Sequence, residues 1–247
     1  PETEGYSDSK GLFPARKAIM QYCQLKKIPN VEIGDIYTGN GVSELITMSM
    51  QGLLNNGDEI LMPSPDYPLW TAATNLAGGH PVHYMCDEAA NWYPDMDDIR
   101  SKITDRTKGI VIINPNNPTG AIMEKSDLEA IAKVIEEHDI FVMSDEIYSE
   151  LTYKEKHVSI VSLPGMKERT IYINGFSKAY AMTGWRLGYC CGPAAIIQQM
   201  TKIHQFAIMC APTTSQYAAV EALKNGDPDI EEMRTAYNQR RRFLMNA

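Results

Sequence analysis

The chain has 247 residues, of which 44% are hydrophobic, 22% charged and 9% aromatic. That balance excludes disorder, collagen-like repeats and a coiled coil, and leaves one large domain or two small ones. Lys+Arg 23 against Asp+Glu 31 gives a net charge of −8, so no overall field draws the chain to nucleic acid or anionic lipid.

No run approaches the ~20 apolar residues that cross a bilayer, which excludes a membrane partner of that kind. The five cysteines are odd in number and form no CxxC pair; they suit a reducing compartment, and a cytoplasmic protein is expected.

Short β-branched or apolar runs alternate with longer helical patterns, which predicts βα units around a mostly parallel sheet. The first predicted strand, Asp35 to Thr38, runs into Tyr37-Thr-Gly-Asn-Gly-Val-Ser-Glu-Leu-Ile. Backbone N–H groups at a helix start, with glycines permitting close approach, make a phosphate site; the plainer reading is a turn capped by Ser43. Glu44 stands where GxGxxG needs its third Gly, and no Gly-Lys-Ser/Thr follows, so a dinucleotide or ATP site is disfavoured. The helix Ser43 to Leu54 carries Leu45, Ile46, Met48 and Leu53 on its apolar side.

Strands Glu59 to Met62 and Val82 to Cys86 flank the turn-rich MPSPDYP segment, which contains Tyr67. His80 and His83 have metal-binding chemistry but no HExxH or Cys/His cluster around them, and no metal is predicted. The strand Gly109 to Asn114 ends in Asn114-Pro-Asn-Asn-Pro-Thr-Gly120, where two prolines fix the backbone and can present Asn117 rigidly beyond the sheet. Taken alone, this is also an ordinary turn.

After the helix Lys125 to His138, with Leu128, Ile131, Ala132 and Ile135 at helical spacing, the strand Ile140 to Asp145 opens onto Asp-Glu-Ile-Tyr148. An acid leaving an apolar strand is costly to bury unless a cation meets it. Asp145 is that acid or a helix N-cap, and Tyr148 is a functional phenol or a packed aromatic.

Strand Thr170 to Asn174 leads into Asn174-Gly-Phe-Ser-Lys-Ala-Tyr-Ala-Met-Thr-Gly-Trp-Arg-Leu-Gly-Tyr189. In this apolar stretch desolvation would make the Lys178 amine a nucleophile toward carbonyls; by itself it reads as a surface lysine. Arg186 follows a Gly turn, and its fork of donors suits a phosphate. Leu187 to Cys191 is the seventh strand. The chain opens on Pro and ends in IEEMRTAYNQRRRFLMNA without a helix stop signal, so a fragment is expected, with Arg240, Arg241 and Arg242 on a solvated helix face. Ser7-x-x-Lys10 lacks a KTG, and Gly175-Phe-Ser-Lys-Ala179 lacks the second Gly of a nucleophile elbow.

NPNNPTG, DEIY and SKAYAMTGWR, together with the TGNGVSE turn, stand in the order of the fold-type I pyridoxal-phosphate enzymes. The chain resembles the class I/II aminotransferases over essentially its whole length. The resemblance implies a three-layer α/β/α domain with a mostly parallel sheet of about seven strands. Residues 1–227 would form the large domain that binds pyridoxal 5′-phosphate, and residues 228–247 would start a long interdomain helix toward a small domain.

It further implies catalytic roles for Lys178, as cofactor aldimine and proton shuttle, for Asp145 at the pyridinium nitrogen, and for Tyr148. Asn117 and Tyr148 would donate to the ring's phenolic oxygen, with Asn117 also facing substrate, and Tyr67 would stack on the ring. Gly41, Val42, Ser43, Ser177 and Arg186 would hold the phosphate. Many relatives carry a hydroxyl three residues before the lysine, where this chain has Gly175. Tyr6, in GYSDSKGLFPAR, matches a tyrosine that reaches the neighbouring subunit's phosphate, which implies a homodimer with composite sites.

The implied reaction is ping-pong amino transfer between a small amino acid, alanine or aspartate, and 2-oxoglutarate. IYTGNGVSELI and PSPDYPLWTAA look alanine-type, NGFSKAYAMTGWRLGY aspartate-type. A pyridoxal-phosphate C–S β-lyase or the sensor domain of a transcription regulator would use the same cofactor residues.

Overall fold

Successive side chains along a strand point to opposite faces, so a strand buried on both faces reads as a continuous apolar run. The computed structural model describes residues 3–154 and 156–247; Pro1, Glu2 and Glu155 lie outside the described residues. In chain order the elements are α1 (Phe13–Leu25), β1 (Ile36–Gly39), α2 (Val42–Leu53), β2 (Glu59–Ser64), α3 (Leu69–Leu76), β3 (His80–Asp87), β4 (Tyr93–Pro94), α4 (Met96–Lys102), β5 (Thr107–Ile113), α5 (Lys125–His138), β6 (Phe141–Asp145), β7 (Thr170–Gly175), β8 (Gly188–Cys191), α6 (Ala194–Ala207), α7 (Thr213–Asn225) and α8 (Asp227–Met245), joined by short 3-10 turns.

The eight strands found among the described residues form one sheet, ordered β1-β8-β7-β6-β5-β2-β3-β4. β7, β6, β5, β2 and β3 run parallel. β8 is antiparallel to both β7 and β1, and β4 is antiparallel to β3. All seven predicted strands are present. The eighth, β4, pairs only two residues with Cys86 and Asp87, too few to show an alternation in sequence. β3 also begins earlier than predicted, at His80. Pro81 is tolerated because β4 leaves that stretch of its outer edge open.

The period of two divides the core into two layers. Leu61, Ile110, Ile112, Val142, Tyr172 and Tyr189 face one side, against α1 and α5. Ile60, Met62, Val111, Ile113, Met143 and Ile173 face the other, against α2, α3 and α6. This is the expected three-layer arrangement. α5 spans its predicted residues, with Leu128, Ile131 and Ile135 buried.

Two helix starts differ from expectation. α2 begins at Val42 with Gly41 as its N-cap at φ +86°, so Ser43 lies inside the first turn and caps nothing. α8 begins at Asp227, with Pro228 in its first turn, where a missing N–H costs no hydrogen bond. No helix among the described residues is long and apolar enough to cross a membrane, and the five cysteines are free thiols.

Candidate active site

Asp145 is the last residue of β6 and, two positions after Met143, points into the α2/α3 layer. It is only 3% exposed. Trp70 Nε1–H donates to Asp145 Oδ2 at 3.3 Å, and the Ile147 N–H donates to Oδ1 at 3.3 Å. Both donors are neutral. Burial therefore prevails and pushes the carboxyl up from 3.8 to about 6, against the opposing pull of those two hydrogen bonds. The N-cap reading of Asp145 holds only as far as its grip on the Ile147 N–H; no regular helix follows it. Trp70 escaped the sequence reading, because nothing local marks a tryptophan as the partner of an acid 75 residues away.

The loops beyond β5, β6 and β7 meet in a cleft of about 640 Å³ lined by Asn117, Tyr148, Ser177, Lys178, Thr183 and Tyr237 among others. Lys178 is half-buried, and its Nζ lies 5.7 Å from the centre of the Tyr148 ring. Four predicted residues are thus brought together from three different strand ends, the place where open α/β sheets bind ligands.

The predicted phosphate residues gather beside this cleft. Gly39 pairs with Gly188, and Gly188 with Gly175, so three glycines lie side by side across β1, β8 and β7. Over that row sits the start of α2: a Cβ on Gly188 would come within 2.8 Å of the Val42 backbone nitrogen, and one on Gly175 within 3.0 Å of Gly188 Cα. Close approach explains the glycine at position 175, where a hydroxyl residue would need the strands to part.

Arg186 reaches across the same turn. Its Nη1 donates to Thr183 O at 2.9 Å and its Nη2 to Asn40 O at 3.4 Å, while its own backbone sits at φ +50°. A non-glycine residue there carries strain of about 1 kcal/mol. A Cβ on Gly41 would stand 2.7 Å from Arg186 Nη2. The guanidinium and the unpaired N–H groups at the start of α2 therefore share one small space, suited to an anion. Glu44 was passed over in the sequence except as a departure from GxGxxG. It shapes this turn, accepting the Asn40 N–H at 2.6 Å and facing buried His204 Nε2 at 3.5 Å. Its position three residues after Gly41, from which a capping side chain reaches back, was the available signal.

Other predicted residues stand apart. Tyr67 is 36% exposed just before α3 and does not line the cleft, and Tyr6 is 80% exposed. The solvated-face reading fails for Arg241: its guanidinium lies 5.4 Å from the centre of the Tyr153 ring, a residue that lines the cleft, while Arg240 and Arg242 are exposed. His83 is engaged by Thr71 Oγ1 at 3.0 Å and lies 3.8 Å from Asp66. A second cavity of about 630 Å³ opens on the other side of the β6 turn, where Glu146, His157 and Ser159 line it; none of the predicted site residues does.

A mostly parallel sheet of this order, with a lysine cleft at its strand ends, is the architecture of fold type I. The family model described as Aminotransferase class I and II matches residues 1–247, and the chain belongs to that family, whose members depend on pyridoxal phosphate.

Among curated relatives, the chain is 48% identical to the glutamate-pyruvate aminotransferase AlaA of Escherichia coli K12, over 98% of this chain and 62% of that protein. It is 50% identical to the alanine aminotransferase of Mycobacterium tuberculosis H37Rv over 76% of this chain and 44% of that one. Among solved structures, the aspartate aminotransferase of Thermus thermophilus with maleate superposes with a TM-score of 0.95 at 34% identity, covering 98% of this chain and 64% of that one. The chain thus spans less than two thirds of the length of these relatives.

Proposed function

We propose that this chain is the cofactor-binding part of an aminotransferase that moves an amino group between a small amino acid and 2-oxoglutarate. The observation that carries the reading is the convergence of Lys178, Asn117 and Tyr148 in one cleft, beside a buried acid and an anion-shaped turn. The names of relatives at 48% and 50% identity favour alanine as donor, and an aspartate aminotransferase at 34% keeps aspartate second.

The residues present fit pyridoxal phosphate. Asp145 is a buried carboxyl with only neutral donors around it, a place for a protonated ring nitrogen. The turn at Gly41, Val42 and Ser43, with Arg186 and nearby Ser177, suits its phosphate, and Asn117 and Tyr148 its phenolic oxygen. Tyr67, whose carbonyl accepts the backbone N–H of the Trp70 that meets Asp145, would stack on the ring. When bound, the group supplies an aldehyde that condenses with amines and a ring that withdraws electrons from the substrate carbon.

Lys178 would hold that aldehyde through Nζ. Freed by the incoming amine, Nζ would take up the proton leaving the substrate's α-carbon and pass it to the carbon that carried the aldehyde. Tyr148, against which Nζ lies, orients it; Asp145 keeps the ring nitrogen protonated.

Residues 1–227 would then be the large domain, and α8 would lead toward a small domain. Tyr6, exposed on its own chain, would reach a partner's phosphate in a homodimer. The free thiols agree with a cytoplasmic enzyme.

Borohydride reduction of the cofactor-loaded protein followed by peptide mapping should place a pyridoxyl group on Lys178, and a label elsewhere would refute the reading. With alanine and 2-oxoglutarate, the full-length protein should form glutamate. Ammonia and pyruvate released from a cysteine thioether would point to a lyase instead.

A further inference from the structure

Asp145 and Glu146 are neighbours in sequence, yet the alternation of β6 sends them to opposite faces. Glu146, 2% exposed, has no part in the chemistry proposed above. Its Oε1 accepts from Ser144 Oγ at 2.8 Å and Ser159 Oγ at 2.7 Å, and its Oε2 lies 3.4 Å from His157 Nε2. His157 Nε2 also lies 3.1 Å from the Asn114 carbonyl oxygen, to which its N–H donates, and Asn114 Nδ2 donates to Val158 O at 3.3 Å. Three consecutive residues, 157–159, therefore fasten two separate loops at once. One loop starts at Asn114 and carries Asn117; the other starts at Glu146 and carries Tyr148.

We propose that residues 157–159, closed on Glu146 and Asn114 through the His157 and Ser159 side chains and the Val158 carbonyl, form a buckle in which His157 and Ser159 are positioning residues: it sets the placement of Asn117 relative to Tyr148 across the cleft. The proposal deepens, and rests on, the reading of that cleft as a site for a ring-bearing cofactor. Burial pushes Glu146 up to about 8 and His157 down to about 4, disfavouring the charged form of each, and the hydrogen bonds that close the buckle are those from Ser144 and Ser159 to Glu146 and from His157 to Asn114. Glutamine, whose amide oxygen can accept from Ser144 and Ser159 in the same place, should replace Glu146 faithfully.

The test uses the whole chain with and without pyridoxal phosphate. Hydrogen exchange of the cofactor-free protein should speed up in both loops, residues 114–123 and 146–151, in His157→Ala and in Glu146→Ala, with α5 unchanged. Cofactor dissociation constants, read from absorbance, should rise about tenfold in both variants and change less than about twofold in Glu146→Gln. Ser159→Ala, which removes one hydroxyl, provides the same reading if His157→Ala does not fold.

Faster exchange in one loop only, or in neither, overturns the buckle, as does a Glu146→Gln variant as impaired as Glu146→Ala. If the wild type takes up no cofactor, the functional reading fails, while the exchange measurement still decides whether the buckle exists.

Discussion

At the proposed ring end of the site a carboxyl group is held dry by two neutral donors, whereas at the proposed phosphate end a guanidinium stands in solvent, propped by two backbone carbonyls. The first arrangement opposes folding. An acid raised from 3.8 to about 6 disfavours the folded state at neutral pH by roughly 3 kcal/mol, at 1.36 kcal/mol per unit. The second costs little beyond one left-handed residue and a row of glycines, because Arg186 keeps most of its hydration. A ligand cation at the ring end relieves a standing penalty and so is selected by charge; a ligand anion at the phosphate end gains from geometry already in place. With the cofactor placed as proposed, one site would read its two charged ends by two different means.

Replacing Lys178 with alanine removes the group on which both ends converge. Turnover should fall by about 10⁴-fold, while circular dichroism stays native and the borohydride label disappears. Residual activity within tenfold of the wild type would break the picture of a shared centre.

Asp145→Asn tests the ring end. In the cofactor-free protein, the contribution of Asp145 to stability should decline as pH rises from about 4 through 6, because its folded carboxyl holds the proton more tightly than in the unfolded chain. The asparagine variant should lose that slope and be more stable by about 3 kcal/mol at pH 8, visible as a rise of several degrees in melting temperature. It should gain much less stability than the wild type from added cofactor. A variant less stable at pH 8 would show that the acid is not an unmet charge.

Gly188→Ala strikes the support beneath the phosphate end. Its new Cβ meets backbone rather than a flexible side chain, 2.8 Å from the Val42 nitrogen. A loss of about 2 kcal/mol in chemical denaturation is expected, together with weaker cofactor binding. Smallest of the four, Arg186→Lys keeps the charge and loses the fork. Its cofactor dissociation constant should rise about tenfold with folding stability unchanged, and an unaltered constant would make Arg186 a point charge only.

Much of this was legible locally. The seven longer strands, α5 and the four motif segments follow from side-chain periods and turn chemistry within a few residues of each other. Lys178 and Asn117 are nameable because each leaves a strand end with Gly or Pro nearby, and Tyr148 because it follows the acid that ends an apolar strand. The cap reading of Ser43 does not hold, since the sequence does not show that Gly41, free to adopt φ +86°, starts the helix one position earlier. Arg241 was placed in solvent because its helical neighbours are polar, and Tyr153, its actual neighbour, lies far away in the chain. The family resemblance supplied roles for Tyr67 and Tyr6, which stand exposed outside the cleft.

What the sequence by itself determined was the alternation of strand and helix, the sides that are apolar, and the residue types waiting at the strand ends. These depend on periods of two and 3.6 and on single-residue conformational limits, all of which act over short distances. Only the tertiary structure decided that Trp70 meets Asp145, that Gly39, Gly188 and Gly175 fall in one row, and that residues 157–159 join two loops. Those facts depend on strand order and register, which are settled by packing both faces of the sheet at once and leave no trace in any one stretch of chain.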